Sequence, residues 1–281
     1  MKRYFSLVKF AHTVFALPFA MIGFFLAVWQ EKYTFHWQTF FLVLACMVLA
    51  RSAAMAFNRV TDLSFDKDNP RTAKREIPAG IISKSSAIIF VIACCAGFIT
   101  VTWFINRLCF FLAPVALIVI LGYSYTKRFT SLSHLFLGLG LSLAPVGAYL
   151  AVTGQIHVIP VLLGLGVLFW VSGFDVIYAM QDEEFDRSHR LYSMPTWLGN
   201  EKALMASSLL HLFSFSCFVL IAVIGNFGAW YWMGLVIFTC LLVYQHLIVK
   251  ANDLSRVNVA FFTTNGIASI VFSIFVLIDF F

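Results

Sequence analysis

Nine long apolar runs dictate what this chain can fold into. They fall near 12–29, 38–57, 86–105, 108–125, 133–152, 158–180, 203–224, 228–249 and 259–280, and polar or Gly/Pro/Asn punctuation separates them. A helix needs about 20 apolar residues to cross the hydrocarbon core of a bilayer. In lipid every backbone group must be bonded within the spanning structure, which leaves only helices and closed barrels. A barrel requires short segments of alternating polarity, whereas these runs are long and continuously apolar. The expected fold is therefore all-α, a polytopic membrane protein with nine transmembrane helices and a single integral-membrane domain over residues 1–281. With 61% of its residues apolar and 11% charged, against about 25% charged in an ordinary soluble domain, the chain has no room for a water-soluble globule.

The basic residues give the orientation. With the N-terminus cytoplasmic, that side collects Lys2, Arg3, Lys9, Arg59, Lys67, Arg71, Lys74, Arg75, Lys84, Lys127, Arg128, Arg187, Arg190, Lys202, Lys250 and Arg256. The other side keeps only Lys32 and Arg107, as the positive-inside rule requires. The net charge of +6 is thus assigned to topology and anionic lipid, not to nucleic acid. The first run follows a polar stretch through Lys9 and is read as a retained helix, not a cleaved signal. All six cysteines lie inside apolar runs without metal-ligand spacing, and they are expected to be buried packing residues.

The acidic residues are distributed differently. Ten of the thirteen sit in two cytoplasmic loops, near 58–85 and 181–202, or just inside the helix feeding one of them. If the second span continues as helix, Asn58, Asp62 and Asp66 recur at i, i+4 and i+8 on one face. Like charges at that spacing repel. A hard divalent cation resolves the repulsion, and Mg²⁺ is typically held by one or two carboxylates plus phosphate oxygens. The second loop repeats the device with Asp182 and Asp186, and Asp175 lies seven residues upstream. Both runs then turn basic and reach a Pro followed by Gly, Pro78/Gly80 and Pro195/Gly199.

Two such ladders on one membrane face suit two metal ions around a polyanion. Arg59, Arg71, Arg75, Lys127, Arg128 and Arg187 are the cations a diphosphate would need. Taken alone, one DxxxD run reads as a solvated helix end; two at matching depth do not. Lys127 and Arg128 read equally as topology determinants. Arg51 lies about two turns inside an apolar span, where an uncompensated charge costs several kcal/mol, so it should face a polar cavity or an ion partner. Gly138-x-Gly140 and Gly164-x-Gly166 read as close helix packing, not phosphate binding. His12 is read as a packing or interfacial residue before a cavity-facing one.

These residues resemble the paired signatures of the UbiA family of intramembrane aromatic prenyltransferases. The resemblance rests on Asn58-Arg59-x-x-Asp62-x-x-x-Asp66 with Arg71-Thr72-Ala73-x-Arg75-x-x-Pro78-x-Gly80, and on Asp175-x-x-Tyr178-x-x-x-Asp182-x-x-x-Asp186. Lys9-Phe10-x-His12-Thr13-x-Phe15-Ala16-Leu17-Pro18, Tyr123-Ser-Tyr125-Thr-Lys127-Arg128 and the offset of Arg51 support it. The resemblance implies nine helices around a central cavity, two Mg²⁺ ions, a polyprenyl diphosphate donor and a small aromatic acceptor. Asn58, Asp62 and Asp66 would then hold one ion and Asp182 and Asp186 the other. Asp175 would orient the second site, while Arg59, Lys127 and Arg128 meet the diphosphate. Many relatives carry Asp where this chain has Arg59, a form that also occurs in the 4-hydroxybenzoate branch.

The segment FDVIYAMQDEEFDRSHRLYSMP is similar both to 4-hydroxybenzoate polyprenyltransferases of ubiquinone synthesis and to relatives that prenylate 1,4-dihydroxy-6-naphthoate toward menaquinone. The competing function is a secondary transporter, which would explain Arg51 and Asp175 but not the clustering of carboxylates with bases on one face. Acceptor, prenyl length and oligomeric state stay open at this stage.

Overall fold

A computed structural model describes Leu7 and residues 15–281. Lys2, Arg3, Lys9 and His12, assigned above to topology or an interface, lie outside the described residues. Helices are α1 (Leu17–Phe25), α2 (Trp37–Thr61), α3 (Leu63–Asp68), α4 (Lys84–Trp103), α5 (Arg107–Thr126), α6 (Ser133–Thr153) and α7 (Val158–Ala179). They continue with α8 (Glu183–Ser188), α9 (Met194–Leu198), α10 (Asn200–Ile224), α11 (Ala229–Ile248) and α12 (Asn265–Asp279). Wider π-type turns extend α1 through Leu26–Gln30 and precede α12 at Val259–Thr264. Among the described residues the only β pairing is an isolated bridge between Lys250 and Asp253.

Among the described residues eight helices are long and apolar enough to cross a membrane, and Leu17–Gln30 adds a shorter apolar one. The expected multi-pass, all-α membrane protein is thus recovered, with a helix count close to the nine expected spans; residues 12–14 of the first expected run lie outside the described residues. Large apolar side chains such as Phe111, Ile118, Met205 and Leu247 are exposed, as lipid-facing positions require.

The chain divides into two compact units. His36–Thr126 makes up the body of one, containing α2 to α5. Its core joins Ala56 of α2 and Ala87 and Val91 of α4 to Ile77 and Ile82 of the intervening loop, so the loop after α3 is packed, not dangling. Val14–Phe35 and Lys127–Phe281 form the other. Its core is an aromatic cluster in which Phe19, Trp170, Phe174, Phe218, Phe238 and Phe272 meet at tilted and edge-on angles, the arrangement that ring quadrupoles favour.

Helix α7 runs through the middle of this second unit, packed by α6 and α10. A Cβ on Gly138 would overlap the Leu168 carbonyl and the Ser172 hydroxyl of α7. Only glycine permits α6 to come this near, which confirms packing as the role of Gly138. Cys94 and Cys217 are buried, as expected of all six cysteines, but Cys240 is exposed. The correction has a simple cause: a small thiol is apolar enough for a lipid-facing position as well as a packed one.

Candidate active site

The first ladder forms at the C-terminal end of α2. Its backbone ladder persists, with the Asp62 amide donating to the Asn58 carbonyl at 2.9 Å and the Asp66 amide to the Asp62 carbonyl at 2.7 Å. The helix is nevertheless not continuous. Asp62, at φ −90° and ψ 7°, ends α2 and opens α3. Across this bend the first two members stay together, the Asn58 amide donating to Asp62 Oδ2 at 2.8 Å.

Asp66 is only 5% exposed. The Arg75 guanidinium donates to its Oδ1 at 2.7 Å, while its Oδ2 is buried with no hydrogen-bond partner. The chain reaches Arg75 through a succession of turns in which Thr72 donates to the Asp66 carbonyl and the Arg71 amide to the Asn69 side chain. Arg71 itself is exposed. Arg59 is buried in the last turn of α2, and its Nε, like that of Arg51 two turns earlier, has no hydrogen-bond partner.

The second ladder repeats the plan at the end of α7. Met180–Asp182 form a tighter turn, and Asp182, at φ −105° and ψ 4°, opens α8. Asp182 and Asp186 are both buried, Asp186 to 3% exposure. Asp186 Oδ2 lacks a hydrogen-bond partner; the Lys127 ammonium stands 4.0 Å away, too far for one. The loop beyond is tied down by the Tyr192 amide donating to the Lys127 carbonyl at 2.7 Å and the Leu191 amide to the Asp186 carbonyl at 2.8 Å. Arg128 is exposed, and Arg187 pairs with Glu183 at 2.6 Å, one turn away on α8.

Asp175 is held by a residue that the sequence reading passed over. His134, fully buried at the start of α6, places Nδ1 2.7 Å from Asp175 Oδ2. The missed signal was depth: an imidazole at the beginning of one apolar run and a carboxylate near the end of the next lie at the same level of adjoining antiparallel helices.

Do these residues fit a divalent cation? Among the described residues no three His, Cys, Asp or Glu side chains converge into a metal cage. Each ladder instead offers a buried carboxylate oxygen with no donor, Asp66 Oδ2 and Asp186 Oδ2. A buried acceptor without a donor is costly, and Mg²⁺ uses one or two such oxygens and completes its shell with phosphate and water. The fit is good for Mg²⁺ carried with a phosphorylated ligand and poor for a metal enclosed by protein alone.

The UbiA prenyltransferase family matches residues 16–267. The 4-hydroxybenzoate octaprenyltransferase of Tolumonas auensis is 28% identical over 229 residues, spanning 82% of this chain and 80% of that protein. An apo structure of a UbiA homologue from Aeropyrum pernix superposes with a TM-score of 0.86 at 30% identity, covering 96% of this chain and 98% of the homologue. A UbiA homologue from Archaeoglobus fulgidus, solved with GPP and Mg²⁺, shares the fold with a TM-score of 0.73 at 20% identity, over 99% of both chains.

Proposed function

The chain belongs to the UbiA prenyltransferase family, and from that premise we propose that it transfers a polyprenyl group from polyprenyl diphosphate to an aromatic acid in quinone biosynthesis. The acceptor is 4-hydroxybenzoate or 1,4-dihydroxy-6-naphthoate, for ubiquinone or menaquinone respectively. The membrane is a bacterial inner membrane with the two acidic loops cytoplasmic, as the distribution of Lys and Arg favours. Family membership sets the transporter alternative aside.

The observation that carries this reading is the pair of buried, donorless oxygens, one ending each ladder. Asn58, Asp62 and Asp66 would hold one Mg²⁺ and Asp182 and Asp186 a second, each ion carried with diphosphate oxygens of the donor. When bound, the ions supply Lewis-acid charge to the diphosphate oxygens as the allylic C–O bond breaks and its electron pair leaves with the diphosphate.

Arg59, Lys127 and Arg128 add fixed positive charge to that leaving group, and fixed charge needs no reorganisation as the bond breaks. Arg71 and Arg75 support the same charge from further out, Arg75 through its bond to Asp66. Arg51, a cation within an apolar helix with its Nε unsatisfied, suits the carboxylate of the acceptor. Asp175 is paired with an imidazole and not with Lys or Arg. Its carboxylate therefore suits the acceptor's hydroxyl proton, and drawing on that proton enriches the ring for attack on the allylic cation. The ring carbon then forms the new C–C bond and the displaced ring proton passes to a carboxylate or to the departing diphosphate.

The test uses purified protein with geranyl diphosphate and Mg²⁺, offering 4-hydroxybenzoate and 1,4-dihydroxy-6-naphthoate side by side. Prenylated product that disappears with EDTA and returns with Mg²⁺ is expected from one of the two. Diphosphate release without such a product would refute the transferase mechanism.

A further inference from the structure

We propose that His134 is the positioning residue for Asp175 and that it couples the Asp175 carboxylate to the start of α9. The inference rests on the transferase reading above and adds to it a residue with no place in either acidic signature. His134 is the second residue of α6 and is fully buried.

Its two ring nitrogens have different partners. The Met194 amide donates to Nε2 at 3.3 Å. An amide N–H needs an acceptor, so Nε2 is bare and the ring proton sits on Nδ1. Nδ1–H then donates to Asp175 Oδ2 at 2.7 Å. The ring is a one-way connector that takes a hydrogen bond from the loop and gives one to the carboxylate.

The surrounding structure holds this ring in register. The Ser172 hydroxyl donates to the His134 carbonyl at 3.1 Å and to the Leu168 carbonyl at 2.7 Å, joining α6 to α7 one turn before Asp175. The close approach at Gly138 makes that reach possible. On the loop side, Met194 is the first residue of α9, which Ser193 and Thr196 cap reciprocally, a box that fixes where the Met194 amide points. Asp175 thus has one oxygen loaded and its rotamer set by a buried partner, which leaves the rest of its acceptor capacity for a ligand. Support of this kind behind a functional group is typically worth about 10- to 100-fold in activity.

A ring that only fills space would act differently, and kinetics separate the two. With geranyl diphosphate, Mg²⁺ and 4-hydroxybenzoate or 1,4-dihydroxy-6-naphthoate, whichever is prenylated, His134→Phe is expected to lower kcat about 10- to 100-fold while KM for geranyl diphosphate stays within about twofold. His134→Asn, whose amide nitrogen takes the place of Nδ1, is expected to recover most of that loss. The double variant His134→Phe/Asp175→Asn is expected to be no slower than Asp175→Asn alone, because residues acting as a unit are not additive. Wild-type kcat in His134→Phe, or losses that multiply in the double variant, would overturn the proposal.

Should His134→Phe fail to fold, ¹⁵N spectra of the imidazoles in the intact protein decide. A protonated Nδ1 whose resonance moves in Asp175→Asn supports the connector, and a protonated Nε2 refutes it. The same spectra judge the pair even if the wild-type protein prenylates neither acceptor, an outcome that would sink the transferase reading by itself.

Discussion

Asp66 and Asp186 occupy the same place in two renderings of one local design, yet they are held in different ways. In each, an aspartate after a long apolar helix opens a six-residue helix, Asp62 directly at Leu63–Asp68 and Asp182 through the turn Met180–Asp182 at Glu183–Ser188, and the next aspartate is buried with a donorless Oδ2. Each loop then contains a glycine in the left-handed region, Gly80 at φ +73° and Gly199 at φ +77°. The difference lies in the cation. Arg75 grips Asp66 at 2.7 Å and is 22% exposed, whereas Lys127 stands 4.0 Å from Asp186 and is 39% exposed. The first pair fastens a loop onto a helix end. The second sets an ammonium near its carboxylate without a hydrogen bond between them.

That contrast can be broken or sharpened by substitution. The largest effects should come where the ladders are alike: Asp66→Asn and Asp186→Asn should each cut kcat about a thousandfold or more, since each removes a carboxylate needed to neutralise the leaving group. Turnover above a tenth of wild type in either would show that the ladders are not equivalent. Arg75→Gln should lower kcat by about 10- to 100-fold. It should also cost about 1–3 kcal/mol of stability, because Asp66 then loses its one strong donor while staying buried; thermal unfolding and turnover measured on the same sample check both. Lys127→Gln should instead raise KM for geranyl diphosphate about tenfold and leave the unfolding temperature nearly unchanged, as a loose, part-exposed pair contributes about 0–1 kcal/mol. A fall in stability equal to that of Arg75→Gln would erase the distinction. The smallest effect concerns Arg190, which takes φ +56° in the second loop. Arg190→Gly should change stability by less than about 1 kcal/mol, since the relieved left-handed strain is offset by glycine's extra freedom when unfolded, with turnover within about twofold.

Much of this was legible in the sequence because it is written in periodicity. Apolar runs announce spans, and a four-residue spacing announces carboxylates on one helix face, as at Asn58, Asp62 and Asp66. The bends at Asp62 and Asp182 were not legible, since nothing in i, i+4 spacing distinguishes a continuous helix from two that share a residue. The bond from Arg75 to Asp66 depends on how the turns from Asn69 onward fold back, which composition does not encode. His134 stayed hidden for a different reason. Its partner is 41 residues away, and a lone imidazole in an apolar run looks like packing until the neighbouring helix is in place.

The short helix α3 starts where the span Trp37–Thr61 stops, and α8 makes up the last turns of the apolar stretch Val158–Ser188, and this placement at the ends of spans also bears on how the reaction finishes. Transfer yields two products of opposite solubility, an inorganic anion and an oily ring. Released at such a boundary, one dissolves in water and the other in the bilayer, so neither accumulates beside the other and the reverse reaction is starved without any pump. The protein then works as a phase-transfer catalyst, and the volume of the oily phase becomes a kinetic variable. Turnover in small micelles should stall early as the prenylated ring fills them, and fusing the same protein into liposomes should restore a linear time course.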